Sequence, residues 1–214
     1  MKLLESHDDG DRRIRILERR ADGSRLYFES GDLYTHVAAS GENLLEYVEA
    51  MRCALENSPD VLLLGTAGGA LATELSRTGS QVTAVDDMAL AFVVARRWFH
   101  LPRQVECIQA DALTFLRDTK RRWAAIAIDI FRGAEIPKHF LTTEIGFLLV
   151  EALEPGGMIV WNIAEGRNSW PVAWVARALR LIGLAPRIVS VSMDEESNTL
   201  IICRRPERPS LSII

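Results

Sequence analysis

Val61-Leu62-Leu63-Leu64-Gly65-Thr66-Ala67-Gly68-Gly69-Ala70-Leu71, taken together with Asp86, decides the fold of this chain. Four consecutive apolar residues suit a short strand buried on both faces. Small residues follow at once, and Leu71 and Leu75 with the polar Thr73, Glu74 and Arg77 then begin a helical pattern. A strand that turns through glycines into a helix gathers unpaired N–H groups and a positive helix end at one spot, which suits a nucleotide-like ligand. Gln81-Val82-Thr83-Ala84-Val85 reads as the next strand and ends on Asp86. A carboxylate about 20 residues past such a turn is where these folds hold ribose hydroxyls.

The turn itself narrows the ligand. A dinucleotide turn wants G-x-G-x-x-G, and in Gly65-Thr66-Ala67-Gly68-Gly69-Ala70 only the first glycine is in register. The second glycine of that pattern lets backbone approach a pyrophosphate, and Ala67 obstructs it. A nucleoside without phosphates needs only the ribose carboxylate and a close turn. A turn that merely packs helix on strand is the plainer alternative.

The 214 residues, 48% of them hydrophobic, suit one full core with a small appendage. A net charge of −4 argues against a nucleic-acid binder. The arginine clusters, such as Arg12, Arg13 and Arg15, read as solvated or as complementing helix ends. Cys53, Cys107 and Cys203 lack metal or disulfide spacing and read as buried thiols. The four histidines give no metal pattern. Met1 to Arg20 is charged throughout, unlike a signal peptide, and no apolar run reaches membrane-spanning length. The expectation is a cytoplasmic protein without a membrane or nucleic-acid partner.

Residues 1–10 read as polar and frayed, followed by three alternating runs at 13–18, 25–29 and 33–37 with turn residues between them. So small an antiparallel meander must pack on the main domain or on a second subunit. A helix is expected from Glu42 to Leu55. Beyond Asp86, helices are expected at 88–99, 113–117, 143–153 and 171–182, and strands at 105–108, 123–128 and 158–163. The strands of that series end near Asp111 and on Asp129, and Pro155-Gly156-Gly157 is expected to stop a helix. Such alternation implies a doubly wound parallel sheet. Arg187–Ser192 and Thr199–Cys203 are joined by Met193–Asn198, too short for a crossover, so they must be antiparallel.

Over residues 12–204 these motifs resemble the S-adenosylmethionine-dependent methyltransferase fold, in its spermidine-synthase-like branch. Gly65-Thr66-Ala67-Gly68-Gly69 is similar to the family's nucleoside loop, and Val82 to Asp86 to its ribose-binding strand. Gln109-Ala110-Asp111-Ala112 resembles the adenine-binding segment, and Ala127-Ile128-Asp129-Ile130-Phe131 the strand end facing the transfer site. Phe140-Leu141-Thr142-Thr143-Glu144, Leu153 to Gly157 and the N-terminal meander also match that branch.

The resemblance implies an α/β fold: a doubly wound, mostly parallel seven-stranded sheet ending in a reversed hairpin, with an antiparallel meander at 1–40 and a Rossmann-like transferase domain at 41–214. It implies S-adenosylmethionine, or its decarboxylated form, as cofactor. Gly65, Thr66, Ala67, Gly69, Asp86, Asp87, Asp111, Ala112 and Asp129 would then bind it. Helix capping is the alternative for Asp86 and Asp111, whereas Asp87 is read first as the cap, or else as a solvent-facing carboxylate near the nucleoside. Asp129 is the candidate catalytic residue, holding the donor's amino group or acting as general base. Tyr34, Tyr47 and Arg132 are candidates for binding a small-molecule acceptor, with aromatic packing as the alternative for the tyrosines. Trp161-Asn162 is a candidate pocket wall, and the other tryptophans read mostly as core.

Two departures bear on the reaction. Aminopropyltransferases carry an acid in the glycine loop where this chain has Gly68, and a second aspartate where it has Arg132. Reversing the charge at a polyamine subsite is costly. Methyl transfer to a small-molecule acceptor is therefore expected ahead of aminopropyl transfer from decarboxylated S-adenosylmethionine to a diamine. A catalytically silent nucleoside-binding protein is the third reading. The meander and the helix near 42–55 are expected to form one wall of the acceptor pocket and to contribute to a homodimer.

Overall fold

The computed structural model describes residues 1–8, 10, 12–133, 135–191 and 198–207. Strands β1 (Lys2–Asp8), β2 (Arg13–Glu18), β3 (Arg25–Glu29) and β4 (Asp32–Val37) form an antiparallel sheet in that order. Helix α1 (Glu46–Ala54) leads into β5 (Asp60–Leu64), α2 (Ala70–Arg77), β6 (Gln81–Asp86), α3 (Ala89–Trp98), β7 (Glu106–Gln109), α4 (Ala112–Asp118) and β8 (Trp123–Ile128). Then come α5 (Thr143–Glu151), β9 (Leu153–Ile163), α6 (Trp170–Leu181), β10 (Arg187–Ser190) and β11 (Thr199–Arg204).

The second sheet has seven strands in the order β10-β11-β9-β8-β5-β6-β7. Strands β7, β6, β5, β8 and β9 are parallel, whereas β11 is antiparallel to both β9 and β10. Of the expected six-residue link Met193–Asn198, residues 193–197 lie outside the described residues. Strand order reverses between β5 and β8, and ligands of open α/β sheets sit outside the strand ends at such a switch point.

Burial follows the pleat. Val61 and Leu63 of β5 face a core built with α1, α2 and α3, while Leu62 and Leu64 face one built with α4, α5 and α6. That is why the run is apolar throughout. Ile14, Ile16, Tyr27 and Val37 of the first sheet join the core on the α1–α3 side. Most of the meander's apolar surface is thus buried within this chain. Leu33 stays 40% exposed, so unburied surface gives a weaker motive for a dimer than the sequence suggested.

Several expectations need correction. Residues 2–8 are a strand rather than a frayed end, giving the sheet four strands. Apolar alternation could not show this, because charged contacts anchor the strand. Glu5 accepts from Trp98 Nε1 (2.5 Å) and from Arg97 Nη1 (2.9 Å). Against the cost of burial, bonds from Trp98, His7 and Arg97 hold its carboxyl down to about 2. The α1 helix starts at Glu46, because Asn43 turns back on the backbone of Leu45. Pro155-Gly156-Gly157 lies inside β9: Gly156 N–H donates to Arg205 O (3.0 Å) and Arg205 N–H to Gly157 O (2.8 Å), extending the ladder. Cys53 is exposed, and Trp170 is 64% exposed rather than core.

Candidate functional site

At the switch point, a cleft enclosing about 690 Å³, mouth included, opens over the carboxyl ends of the parallel strands. Tyr34, Gly65, Thr66, Ala67, Asp86, Asp87, Asp111, Ala112, Asp129 and Arg132 all line it, residues the sequence singled out from five separate stretches. Gly69 and Tyr47 stand behind the lining. Gly69 adopts a left-handed φ of 76° as the N-cap of α2 and backs onto Leu101 and Ala95.

The glycine loop is wired into the protein. Gly65 has φ 88°, and a Cβ there would lie 2.1 Å from Asp129 O, so only glycine lets the ends of β5 and β8 approach. Its N–H donates to Val85 O (2.9 Å). Thr66 and Ala67 N–H donate to Asp86 Oδ2 at 2.8 and 3.4 Å. Gly68 N–H donates to Thr35 Oγ1 (3.1 Å), and Gly69 N–H to Thr66 O (2.7 Å). The unpaired N–H groups expected of this turn are therefore taken: all five donate to protein acceptors. A phosphate cradle needs such groups free.

Two features of the loop still point to a ligand. The buried Thr66 Oγ1 has no partner among the described residues. Ala67 is held at φ 45°, a strained conformation of the kind that gathers at binding sites.

Each acid has a distinct environment. Asp86 bridges the loop to the next helix, its Oδ1 accepting from Met88 N–H (2.9 Å). Burial pushes its carboxyl up, and bonds from Met88 and Thr66 oppose this. The capping bond thus falls to Asp86, its alternative reading, and not to Asp87. Asp87 instead receives the Arg12 guanidinium as a fork, at 2.7 and 2.6 Å, which holds its carboxyl below the usual range. Arg132 Nη2 reaches the same carboxylate at 3.4 Å. Asp111 does cap α4, accepting from Thr114 N–H (2.9 Å), and its other oxygen meets His139 Nε2 at 3.1 Å. Burial works to raise it, but the bonds from Thr114 and His139 win and its carboxyl lies low.

Asp129 differs from the rest. Burial pushes its carboxyl up to about 6, although Asn162 Nδ2 (2.8 Å) and Tyr47 OH (3.4 Å) both donate to it. Tyr47 OH also lies 3.2 Å from Tyr34 O, and Tyr34 OH donates to Gly133 O (2.7 Å). Both tyrosines therefore have polar roles besides packing. Asn198 Nδ2 donates to Asn162 Oδ1 (3.0 Å), so a hydrogen-bonded wall runs from β11 through β9 to the first sheet. Trp161 sits one layer back, edge-on to the lining Phe140.

Sequence reasoning missed Arg12, Glu29 and His139 in the lining and Thr35 behind it. Glu29 is 7% exposed, with Tyr27 OH 3.4 Å and Arg12 Nε 3.6 Å away. A carboxylate directly after the apolar run Leu26-Tyr27-Phe28 was its one signal. Arg12 was read as solvated.

No family model matches this chain. A curated polyamine aminopropyltransferase of Chromobacterium violaceum is 25% identical over 177 residues, 79% of this chain and 66% of that protein, so the chain spans just under two thirds of this relative. A probable spermidine synthase from Corynebacterium glutamicum superposes with a TM-score of 0.78 at 19% identity, over 97% of this chain and 81% of that one. A spermidine synthase in complex with the transition-state analogue AdoDATO gives 0.76 at 17%, over 98% and 75%. The N-methyltransferase NodS of Bradyrhizobium japonicum gives 0.58 at 21%, over 75% and 94%. At these identities the structural likeness is one of fold. The chain has the spermidine-synthase-like form of the S-adenosylmethionine-dependent methyltransferase fold.

Proposed function

We propose that the cleft binds decarboxylated S-adenosylmethionine and that the chain transfers its aminopropyl group to a small amine. The relatives move this reading ahead of the methyl transfer expected from sequence. The observation that carries it is the state of the glycine loop. With the five N–H groups of Gly65 to Gly69 spent, the loop's backbone offers no donor to a carboxylate tail. Of the guanidinium groups of the lining, Arg12 is spent on Asp87 as a fork, and Arg132 stands at the exposed mouth, away from the loop. Five carboxyl groups line the cleft against those two cations, which favours a donor carrying both a sulfonium and an ammonium.

The residues fit such a donor. Ala112 and Asp111 would flank the base, Asp86, Asp87 and the orphaned Thr66 hydroxyl the ribose, and Asp129 the reacting end. Bound there, the donor supplies a carbon activated by positive sulfur: the acceptor nitrogen's lone pair forms the C–N bond, the C–S bond breaks onto sulfur, and the nitrogen sheds a proton. Asp129 is placed to take that proton. Its carboxyl, at about 6, is ionised at neutral pH yet more basic than an ordinary aspartate. Asn162 and Tyr47 fix its orientation, and Tyr34 closes the wall beside it.

Methyl transfer is the second reading. Arg132 at the position of a family aspartate favours it, because a neutral acceptor needs no second carboxylate. Calorimetric titration with decarboxylated S-adenosylmethionine, S-adenosylmethionine and NAD, followed by mass spectrometry of amine reactions, separates the two. The decarboxylated donor is expected to bind at least about tenfold tighter than the parent and to release methylthioadenosine. Tighter binding of the parent with a methylated product would reverse the ranking, and binding of NAD alone would sink both.

A further inference from the structure

We infer that Arg132 reads an anionic group on the acceptor, so that the amine used here carries a carboxylate at its far end where a diamine carries its second ammonium. This rests on the aminopropyl-transfer reading above. Arg132 lies three residues past Asp129, beyond the end of β8, while its guanidinium meets Asp87 at the end of β6. Strand β5 runs between those two strands, so the side chain crosses the mouth of the cleft above the glycine loop.

Its hold on Asp87 is slight. Arg12 already occupies both carboxylate oxygens at 2.7 and 2.6 Å, which leaves Arg132 one long contact at 3.4 Å with its side chain 62% exposed. Its backbone, by contrast, is fixed beside the acceptor wall. Arg132 N–H donates to Glu135 O (2.8 Å), and the next carbonyl, of Gly133, accepts from Tyr34 OH. A loosely held guanidinium on a fixed base, next to Tyr34, Tyr47 and Asp129, can turn to a bidentate partner entering from solvent.

The acids near that wall are already committed or peripheral. Asp129 faces the reacting nitrogen, and the buried Glu29 is taken up by Tyr27 OH at 3.4 Å and Arg12 Nε at 3.6 Å. Asp32 lies on the rim outside the lining, its Oδ2 3.6 Å from where a Cβ on Gly133 would sit. The loop position that would supply another acid is Gly68, and Thr35 fills its side-chain space. A distal ammonium would therefore meet Arg132 first.

The test measures methylthioadenosine release from the decarboxylated donor with three acceptors: putrescine, butylamine and δ-aminovalerate, which carries a carboxylate in place of putrescine's second ammonium. Wild type is expected to use δ-aminovalerate with kcat/KM at least about tenfold above putrescine. Arg132→Asp should invert that order, and Arg132→Gln should bring δ-aminovalerate down to the level of butylamine. Putrescine preferred by wild type, with its use abolished by Asp32→Asn, would overturn the inference and assign the distal site to Asp32. Calorimetry on the same preparations tells the two failures apart. A donor that binds while putrescine is preferred removes only this inference, whereas a donor that neither binds nor reacts removes the reading it rests on as well.

Discussion

The two sheets meet at the cleft but contribute to it by different means. The seven-stranded sheet supplies backbone: the ends of β5, β6 and β8 fix the loop, Asp86 and Asp129 through ladder geometry and short-range bonds. The four-stranded sheet supplies side chains that reach across: Arg12 to Asp87, Thr35 to Gly68 and Tyr34 to Gly133. Changes in the first should therefore strike scaffold or chemistry outright. Changes in the second should act by degrees, because each long side chain is one of several restraints.

Asp129→Asn tests the seven-stranded sheet where the effect should be largest. On the proposed reaction, kcat should fall about 10²–10³-fold. The wild-type rate should rise with pH through about 6 as the carboxyl ionises, and the variant should lose that limb. Stability should move the other way. A folded carboxyl raised from 3.8 to about 6 favours the protonated native state, so wild-type stability declines as pH climbs between those values. The amide has no such cost, and above pH 6 the inactive variant should unfold at equal or higher denaturant. A variant keeping the wild-type pH limb would remove Asp129 as the base.

Gly65→Ala should cost about 3 kcal/mol or more, since it combines a positive φ with a backbone collision. The new Cβ would lie 2.1 Å from Asp129 O. Gly79→Ala is the control: φ is 98°, but nothing lies within 4 Å, so backbone strain alone should cost about 1 kcal/mol. Equal urea midpoints for the two would show that the strand ends need not approach as described.

The contact between the sheets is tested by Gly68→Asp. Its Cβ would meet Thr35 Oγ1 at 2.7 Å and Thr35 Cβ and Cγ2 at 2.8 Å, and Thr35 is buried. Overpacking of this kind costs about 2 kcal/mol. Thr35→Ala removes two of the three close atoms, so in the double variant about 1 kcal/mol should return as coupling. Strict additivity would break the claim that the first sheet occupies the space of an acidic loop residue.

How much of this was legible follows the same division. Apart from the start of β9, the parallel sheet could be read to within a residue or two, because Leu62 to Leu64 and Ile126 to Ile128 are apolar on both faces and bounded by turn residues. Its acids could be located because strand ends recur at fixed spacing. Strand β1 could not, since Glu5 holds it through Trp98 and Arg97, which lie more than ninety residues away. Arg12 was hidden for the same reason: its partner Asp87 is 75 residues distant, and no local periodicity records that pairing. Even the glycine loop was half legible. Its turn was plain, but Thr35 and Asp86 consume N–H groups that the motif alone leaves open.

Arg12→Met should have the smallest effect, and its pH dependence says what Arg12 does. The side chain spans Asp87 and Glu29, and Asp86 and Asp87 add like charge around Glu29, whose carboxyl burial already pushes up. Because Asp87 is partly exposed, the loss at neutral pH should be about 1–2 kcal/mol rather than that of a fully buried pair. Asp87 has a lowered pKa when folded, so its contribution is present above the ordinary value of 3.8 and lost as pH falls through the lowered one. The gap between wild type and variant should therefore hold from pH 7 down to about 3.8 and shrink as pH falls further. Arg12→Lys keeps the charge without the fork and should fall between the two. A gap that ignores pH would mean that Arg12 acts through the packing of its aliphatic stem, which methionine largely replaces, and would leave Asp87 without an electrostatic role in joining the sheets.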